Sequence, residues 1–306
     1  MKKFYSPKFW GKKIHFISLI LLPISLIYFF LILLNKVKKL YAKNYDIKVI
    51  CVGNIYLGGT GKTPLVKKIY DELNIKEKCC ILKKYHSNHS DEINLLKNTT
   101  NMFIPRHRVK GLLDAISKGF QYAILDDGMQ DYSFKKNKTI LCVKSNKAFG
   151  NEWILPSGPL REPLSSIKNY DISVINGENN DYIEKLLKLH NPLIKVFYSN
   201  YEIKNANNFL NRKFLAFSGI ADNQSFFNLL NKNNINIDHQ EEFEDHHNFT
   251  DNDMSKLIKI CKEKNIELLT TEKNYFGLKE EFKSEVCYVE LNLKIKNFGK
   301  FINEII

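Results

Sequence analysis

Residues 53–63 read Gly-Asn-Ile-Tyr-Leu-Gly-Gly-Thr-Gly-Lys-Thr. A backbone this rich in glycine can turn its N–H groups onto phosphate oxygens. Lys62 can reach the outer phosphates, and the Thr63 hydroxyl can hold Mg²⁺. Gly58, Gly59, Thr60, Gly61, Lys62 and Thr63 are thus candidates for a nucleoside triphosphate cradle. In the pattern G-x-x-x-x-G-K-[ST] the first glycine would fall at Tyr56, so the chain departs from it at one position. Downstream, the apolar run 121–125 ends in Asp126-Asp127-Gly128. Acids at a strand end beside such a cradle hold Mg²⁺ directly or through water; alone, they read as a solvated turn.

Three further stretches carry chemistry-bearing residues. Asp91-Glu92 follows a loop rich in His, Ser and Asn, and by itself reads as a helix cap with a favourable first-turn acid. Phe243-Glu244-Asp245-His246-His247-Asn248-Phe249-Thr250 sets two histidines beside an acid. Adjacent histidines rarely ligate one ion, so a histidine held by a carboxylate is the better functional reading; a surface loop capped by Thr250 is the other. In the proline-rich stretch 151–163, Arg161 could grip a phosphate, or the segment could be a rigid connector.

Strands and helices must hold these groups in place. Val49-Ile50-Cys51-Val52 leads into the glycine-rich turn, and a helix-compatible run from Pro64 to Leu73 leads out. Strand candidates at 48–55, 79–83, 121–125, 139–143, 172–175 and 194–198 alternate with helix candidates, notably 62–73 and 108–118. That alternation predicts an α/β fold: a P-loop NTPase-like, mostly parallel sheet flanked by helices, with ligands beyond the carboxyl ends of the strands. A second set follows: strand 213–218, helices 222–233 and 251–264, strands 266–270 and 286–291, and helix 298–305. It reads as a smaller C-terminal α/β lobe behind an Asn-rich linker at 200–212. The expected organisation is a membrane-associated helix at 1–45, a P-loop core at 46–205 and the smaller lobe at 206–306.

With 306 residues, 44% of them hydrophobic and 26% charged, the chain is globular rather than disordered. Its net charge of +13 suits an anionic membrane or substrate, or reflects a lysine-rich composition. No RNA-binding or helix-turn-helix signature supports a nucleic-acid partner. The six cysteines form no CxxC pair and read as buried reduced thiols. Residues 17–34 carry no charge and are close to the minimum for crossing a bilayer. Lysines flank both sides, Pro23 could kink the segment, and no small-residue cleavage site follows. Either one span or a helix lying in the interface fits. In both cases the nucleotide site should face the cytoplasm, where ATP is.

Taken together, these stretches resemble the tetraacyldisaccharide 4′-kinase family, the lipid A kinases of Gram-negative bacteria. The resemblance runs through Gly58-Gly59-Thr60-Gly61-Lys62-Thr63-Pro64, Asp91-Glu92, Asp126-Asp127-Gly128-Met129-Gln130, Leu155-Pro156-Ser157-Gly158-Pro159-Leu160-Arg161-Glu162-Pro163, Phe217-Ser218-Gly219, Asp245-His246-His247 and Thr271-Glu272-Lys273. The chain departs from the family with Lys83-Lys84-Tyr85 for Arg-Gly-Tyr, Ser90-Asp91-Glu92-Ile93 for Gly-Asp-Glu-Pro, and Gln130-Asp131 for Gln-His. The resemblance implies transfer of the γ-phosphoryl group of ATP, with Mg²⁺, to a sugar hydroxyl of an acylated disaccharide phosphate lipid, at the cytoplasmic face of a bacterial inner membrane. It implies Lys62 on the phosphates, Mg²⁺ held by Thr63 with Asp126, Asp127 or Glu92, Asp91 as the base, and His246 orienting Asp91. Arg161 and Arg108 would steady phosphate charge. The alternative is a membrane-associated P-loop NTPase with a regulatory role and no lipid acceptor.

Overall fold

A computed structural model describes residues 7–306 except 76, 86–99, 221 and 246. Asp91, Glu92 and His246 therefore lie outside the described residues. The described chain divides into two compact units, one of residues 7–85, 100–200 and 294–306, the other of Tyr201–Leu293.

The larger unit begins with helices α1 (Phe16–Ile20) and α2 (Leu22–Val37). It continues through β1 (Lys48–Gly53), α3 (Lys62–Leu73), β2 (Cys79–Lys83), β3 (Met102–Phe103) and α4 (Arg108–Ser117). Then come β4 (Tyr122–Asp126), β5 (Lys138–Lys144), β6 (Ile172–Asn176), α5 (Asp181–His190) and β7 (Lys195–Ile203). The smaller unit runs through β8 (Lys213–Ser218), α6 (Asn223–Lys232), β9 (Asn236–Glu242), α7 (Asp251–Lys264), β10 (Glu267–Thr271), α8 (Glu272–Phe276), α9 (Glu280–Lys283) and β11 (Val286–Val289). The chain closes with β12 (Leu291–Ile295) and α10 (Phe298–Asn303).

The large sheet has the order β12-β7-β6-β5-β1-β4-β2-β3. β1 lies parallel to both its neighbours, β4 and β5. Its residues Val49 to Val52 are all buried, which is why they read as one apolar run: a parallel strand covered on both faces needs no polar side. The register matters for function. Val52 of β1 pairs with Asp126 of β4, and Asp126 pairs in turn with Lys83 of β2, so the ends of three neighbouring strands lie in one row.

The smaller unit holds a four-stranded parallel sheet in the order β11-β10-β8-β9. Phe214 and Ala216 of β8 pack with Phe226, Phe227 and Leu230 of α6. Leu215 and Phe217 pack with Met254, Leu257 and Cys261 of α7. The period-two alternation of a strand thus separates the two helices onto opposite faces. β12 and α10, expected in the smaller lobe, return instead: β12 borders β7 in the large sheet, and Phe301 of α10 packs edge-on against Phe197.

The N-terminal apolar stretch is two helices that meet at Leu21, not one. No described helix is long and apolar enough to cross a membrane.

Candidate active site

The glycine-rich turn is held from inside. Asn54, fully buried, donates from Nδ2 to the carbonyls of Tyr56 and Gly58 and to the Thr60 hydroxyl. Gly58 has φ +121° and Gly61 φ +87°, conformations that a side chain resists. Gly61 caps α3, so Lys62 and Thr63 open that helix. The unpaired N–H groups and dipole of its first turn point where an anion would sit.

Asp126 ends β4 opposite this turn. Thr63 Oγ1 donates to Asp126 Oδ2 at 2.9 Å, and Lys83 Nζ reaches the same oxygen at 2.6 Å. Asp126 and Lys83 are both buried. Asp127 follows in the left-handed region, φ +59°, with its N–H bonded to the Val52 carbonyl. That conformation turns its carboxylate onto Arg161, whose Nη1 lies 2.9 Å from Oδ2 and 3.2 Å from Oδ1. Burial alone would raise the Asp127 carboxyl, but the charges of Lys62, Arg161 and Arg108 outweigh it and hold the group below the usual carboxylate range. The same pair works on Arg161: burial disfavours its charge, and Asp127 more than restores it.

Around this pair lies a set of polar contacts that no short sequence motif reveals. Arg161 also donates to Asn54 Oδ1 at 3.2 Å and to Gln130 Oε1 at 3.0 Å. Gln130 Nε2 donates to Glu162 Oε1 at 2.8 Å, and Lys36 of α2 meets Glu162 Oε2 at 3.3 Å. Arg108 donates to the Asp127 carbonyl and faces Asp131 at 3.5 Å. Its Nε–H is buried and finds no acceptor among the described residues. The aspartate at 131 stands where the resembling family has histidine, and it supplies Arg108 with a counter-charge.

Helices α1 and α2 dock on this region through a polar stripe. Ser25 bonds Ser157 and the Ile154 carbonyl, Ser18 accepts from Asn151, Tyr28 donates to the Arg161 carbonyl, and Asn35 donates to that of Gln130. Their other faces expose Phe16, Ile20, Ile27, Phe30, Leu31 and Leu34.

In the smaller unit, Asp245 meets Lys273 at 3.2 Å. His247 Nε2 lies 3.0 Å from Asp253, whose carboxylate also closes the capping box with Thr250 at the start of α7. Phe243 and Phe249 flank the His247 ring. His247 is thus fastened to the start of α7.

Of the expected site residues, the larger unit brings together Gly58, Gly59, Thr60, Gly61, Lys62, Thr63, Asp126, Asp127, Arg161 and Arg108. Lys83, Asn54, Gln130, Glu162 and Lys36 join them without having been assigned a role from sequence. Thr63, Asp126 and Asp127 offer hard oxygen donors, the set that Mg²⁺ takes when substrate phosphates supply the rest.

Known proteins resemble this chain over nearly its whole length. A family model described as LpxK, Tetraacyldisaccharide-1-P 4′-kinase, matches residues 17–306. The chain is 38% identical over 312 residues to a Tetraacyldisaccharide 4′-kinase of Pelagibacter ubique (strain HTCC1062), covering 99% of this chain and 98% of that one. It is 31% identical over 317 residues to the protein of that name from Rickettsia akari (strain Hartford), covering 97% and 95%. Among solved structures, the "apo" form of LpxK from Aquifex aeolicus in complex with ATP superposes with a TM-score of 0.72, at 24% identity over 94% of this chain and 98% of that one. This likeness shows the shared fold.

Proposed function

Since the chain belongs to the tetraacyldisaccharide-1-P 4′-kinase family, we infer that it transfers the γ-phosphoryl group of ATP to the 4′-hydroxyl of a tetraacyldisaccharide 1-phosphate, giving lipid IVA. The observation that carries the residue assignment is the strand register: Asp126 lies level with Val52, where the phosphate cradle begins, and is bonded to Thr63 of that cradle. Phosphoryl transfer asks a protein for positioning and charge neutralisation more than for covalent help.

The loop amides and the first turn of α3 receive the β- and γ-phosphates, and Lys62 neutralises their charge. Thr63 with Asp126 and Asp127 would hold Mg²⁺, which would supply positive charge to offset that of the phosphates; Glu92 is a further candidate ligand. Arg161 bonds the Asp127 carboxylate and Arg108 its carbonyl, and both present guanidinium charge to the phosphates of ATP or to the 1-phosphate of the lipid. Asp91 accepts the proton of the sugar hydroxyl, with His246 orienting it. A loose transition state releases that proton late, so a carboxylate is a sufficient base.

The exposed apolar face of α1 and α2 seats the protein in the headgroup region, where the sugar of an acylated substrate protrudes. Exposed Lys12, Lys13, Lys38, Lys39 and Lys43 flank that face and attract anionic lipid. ATP places this surface on the cytoplasmic side of the inner membrane.

The test is turnover of Asp91→Ala and Lys62→Ala in purified, folded protein. Both should fall by several orders of magnitude, with the far-ultraviolet dichroism of the wild type. Wild-type turnover in Asp91→Ala would remove Asp91 from its role.

A further inference from the structure

A continuous line of polar contacts joins the membrane-facing helix to the phosphate site. Lys36 of α2 meets Glu162 at 3.3 Å and bonds Ser166 at 2.8 Å. Glu162, only 4% exposed, passes the line to Gln130, Gln130 to Arg161, and Arg161 to Asp127. Each link fixes the next. The Gln130 amide has one orientation in which Nε2 donates to Glu162 and Oε1 accepts from Arg161. A carboxylate at Glu162 enforces that orientation, because it only accepts. A buried carboxylate also needs a cation, and Lys36 is the cation that meets it. Tyr28, about two turns earlier in α2, donates to the Arg161 backbone carbonyl, so α2 reaches that residue directly as well as through this line.

We propose that Lys36 and Glu162 are positioning residues: they orient Gln130 and through it the Arg161 guanidinium, so that the helix seated on the lipid is also a wall of the phosphate site. The proposal rests on the assignment of Arg161 to phosphate charge. Lys36 and Glu162 touch no reacting atom in it. Loosening α2 therefore loosens Arg161, and the chain favours turnover when its anchor is in place.

The experiment uses the full chain in detergent micelles with arginine-selective isotope labelling. The sequence has four arginines, Arg106, Arg108, Arg161 and Arg212, so the side-chain Nε–H spectrum is simple. Lys36→Met should shift the Arg161 signal and leave that of Arg212, in the smaller unit, unmoved. Its kcat should fall by about tenfold to a hundredfold, the scale of a small misplacement, with KM for ATP within about twofold of wild type. Lys36→Arg should restore both. Glu162→Gln combined with Lys36→Met should lose no more than either alone, since both cut one line. Lys36 lies on the helix surface, so its variant keeps the test open where Glu162→Gln fails to fold. An unmoved Arg161 signal in Lys36→Met, or multiplicative losses in the double variant, overturns the proposal. A shifted signal with unchanged kcat upholds the positioning and instead overturns the assignment of Arg161 to phosphate charge.

Discussion

Two donors converge on one oxygen of Asp126, the Thr63 hydroxyl and the Lys83 ammonium, and burial makes both count. Removing Lys83 leaves a carboxylate in the interior without its counter-charge, a loss on the order of 3–5 kcal/mol. Lys83→Met should therefore lower the unfolding free energy of the metal-free protein, read from urea melts, by that amount; an unchanged value would show that Asp126 finds compensation elsewhere. Asp127 makes a pH-dependent contribution. Its folded pKa lies below its unfolded one, so its stabilisation is complete above the ordinary carboxylate value and is lost as pH falls through the depressed folded value. Between those values the unfolded chain binds more protons, and stability rises with pH. Asp127→Asn should flatten that acid limb in urea melts, and an unaltered slope would contradict the assignment. Residues at this scale were legible where the backbone itself makes the demand. Gly58 and Gly61 need positive φ, and Lys62 and Thr63 follow from their place at a helix start. Lys83, Gln130 and Glu162 were not, because their partners lie on other strands and loops and only the strand register brings them together.

At the scale of elements, α1 and α2 invert the usual amphipathic pattern. Ser18, Leu21, Ser25, Tyr28, Ile32 and Asn35 recur at alternating spacings of three and four and form the stripe toward the protein. Solvent-facing positions are the apolar ones. A scan for charge sees only a neutral apolar run at 17–34, which fits a span or an interfacial helix alike and gives no sign that Ser18 and Ser25 are docking points. The two faces should separate by mutation. Ile27→Glu with Leu31→Glu should abolish co-flotation with anionic vesicles while the melting temperature stays within a few degrees; persistent flotation would contradict a lipid-facing role for this stripe. Ser25→Val should instead cost about 1–3 kcal/mol by leaving the Ser157 groups unpaired, and retained stability would show that they find other partners. β9 escaped sequence reading for a related reason. Asn236-Ile237-Asp238-His239-Gln240-Glu241-Glu242 is an edge strand, polar enough to look like a loop, and pairing with β8 alone makes it a strand.

For the whole molecule, alternating strands and helices were enough to foresee a parallel sheet with a nucleotide cradle after its first strand, because a strand buried on both faces must be apolar throughout and its connections must be long. The path of the last residues was not foreseen. β12 and α10 leave the smaller unit and rejoin the large sheet, and a short amphipathic segment does not announce which sheet edge it will cover. Charge acts at this scale too: a net +13 favours approach to anionic lipid and an anionic substrate, and it weakens with salt. The account stands on the joining of a triphosphate cradle to a lipid-facing helix in one kinase. Incubation of the purified chain with γ-labelled ATP and tetraacyldisaccharide 1-phosphate in mixed micelles, resolved by thin-layer chromatography, tests it most directly. Label should appear in a more polar lipid with the wild type and be lost with folded Lys62→Ala. Label released only as inorganic phosphate, with no labelled lipid, would contradict it.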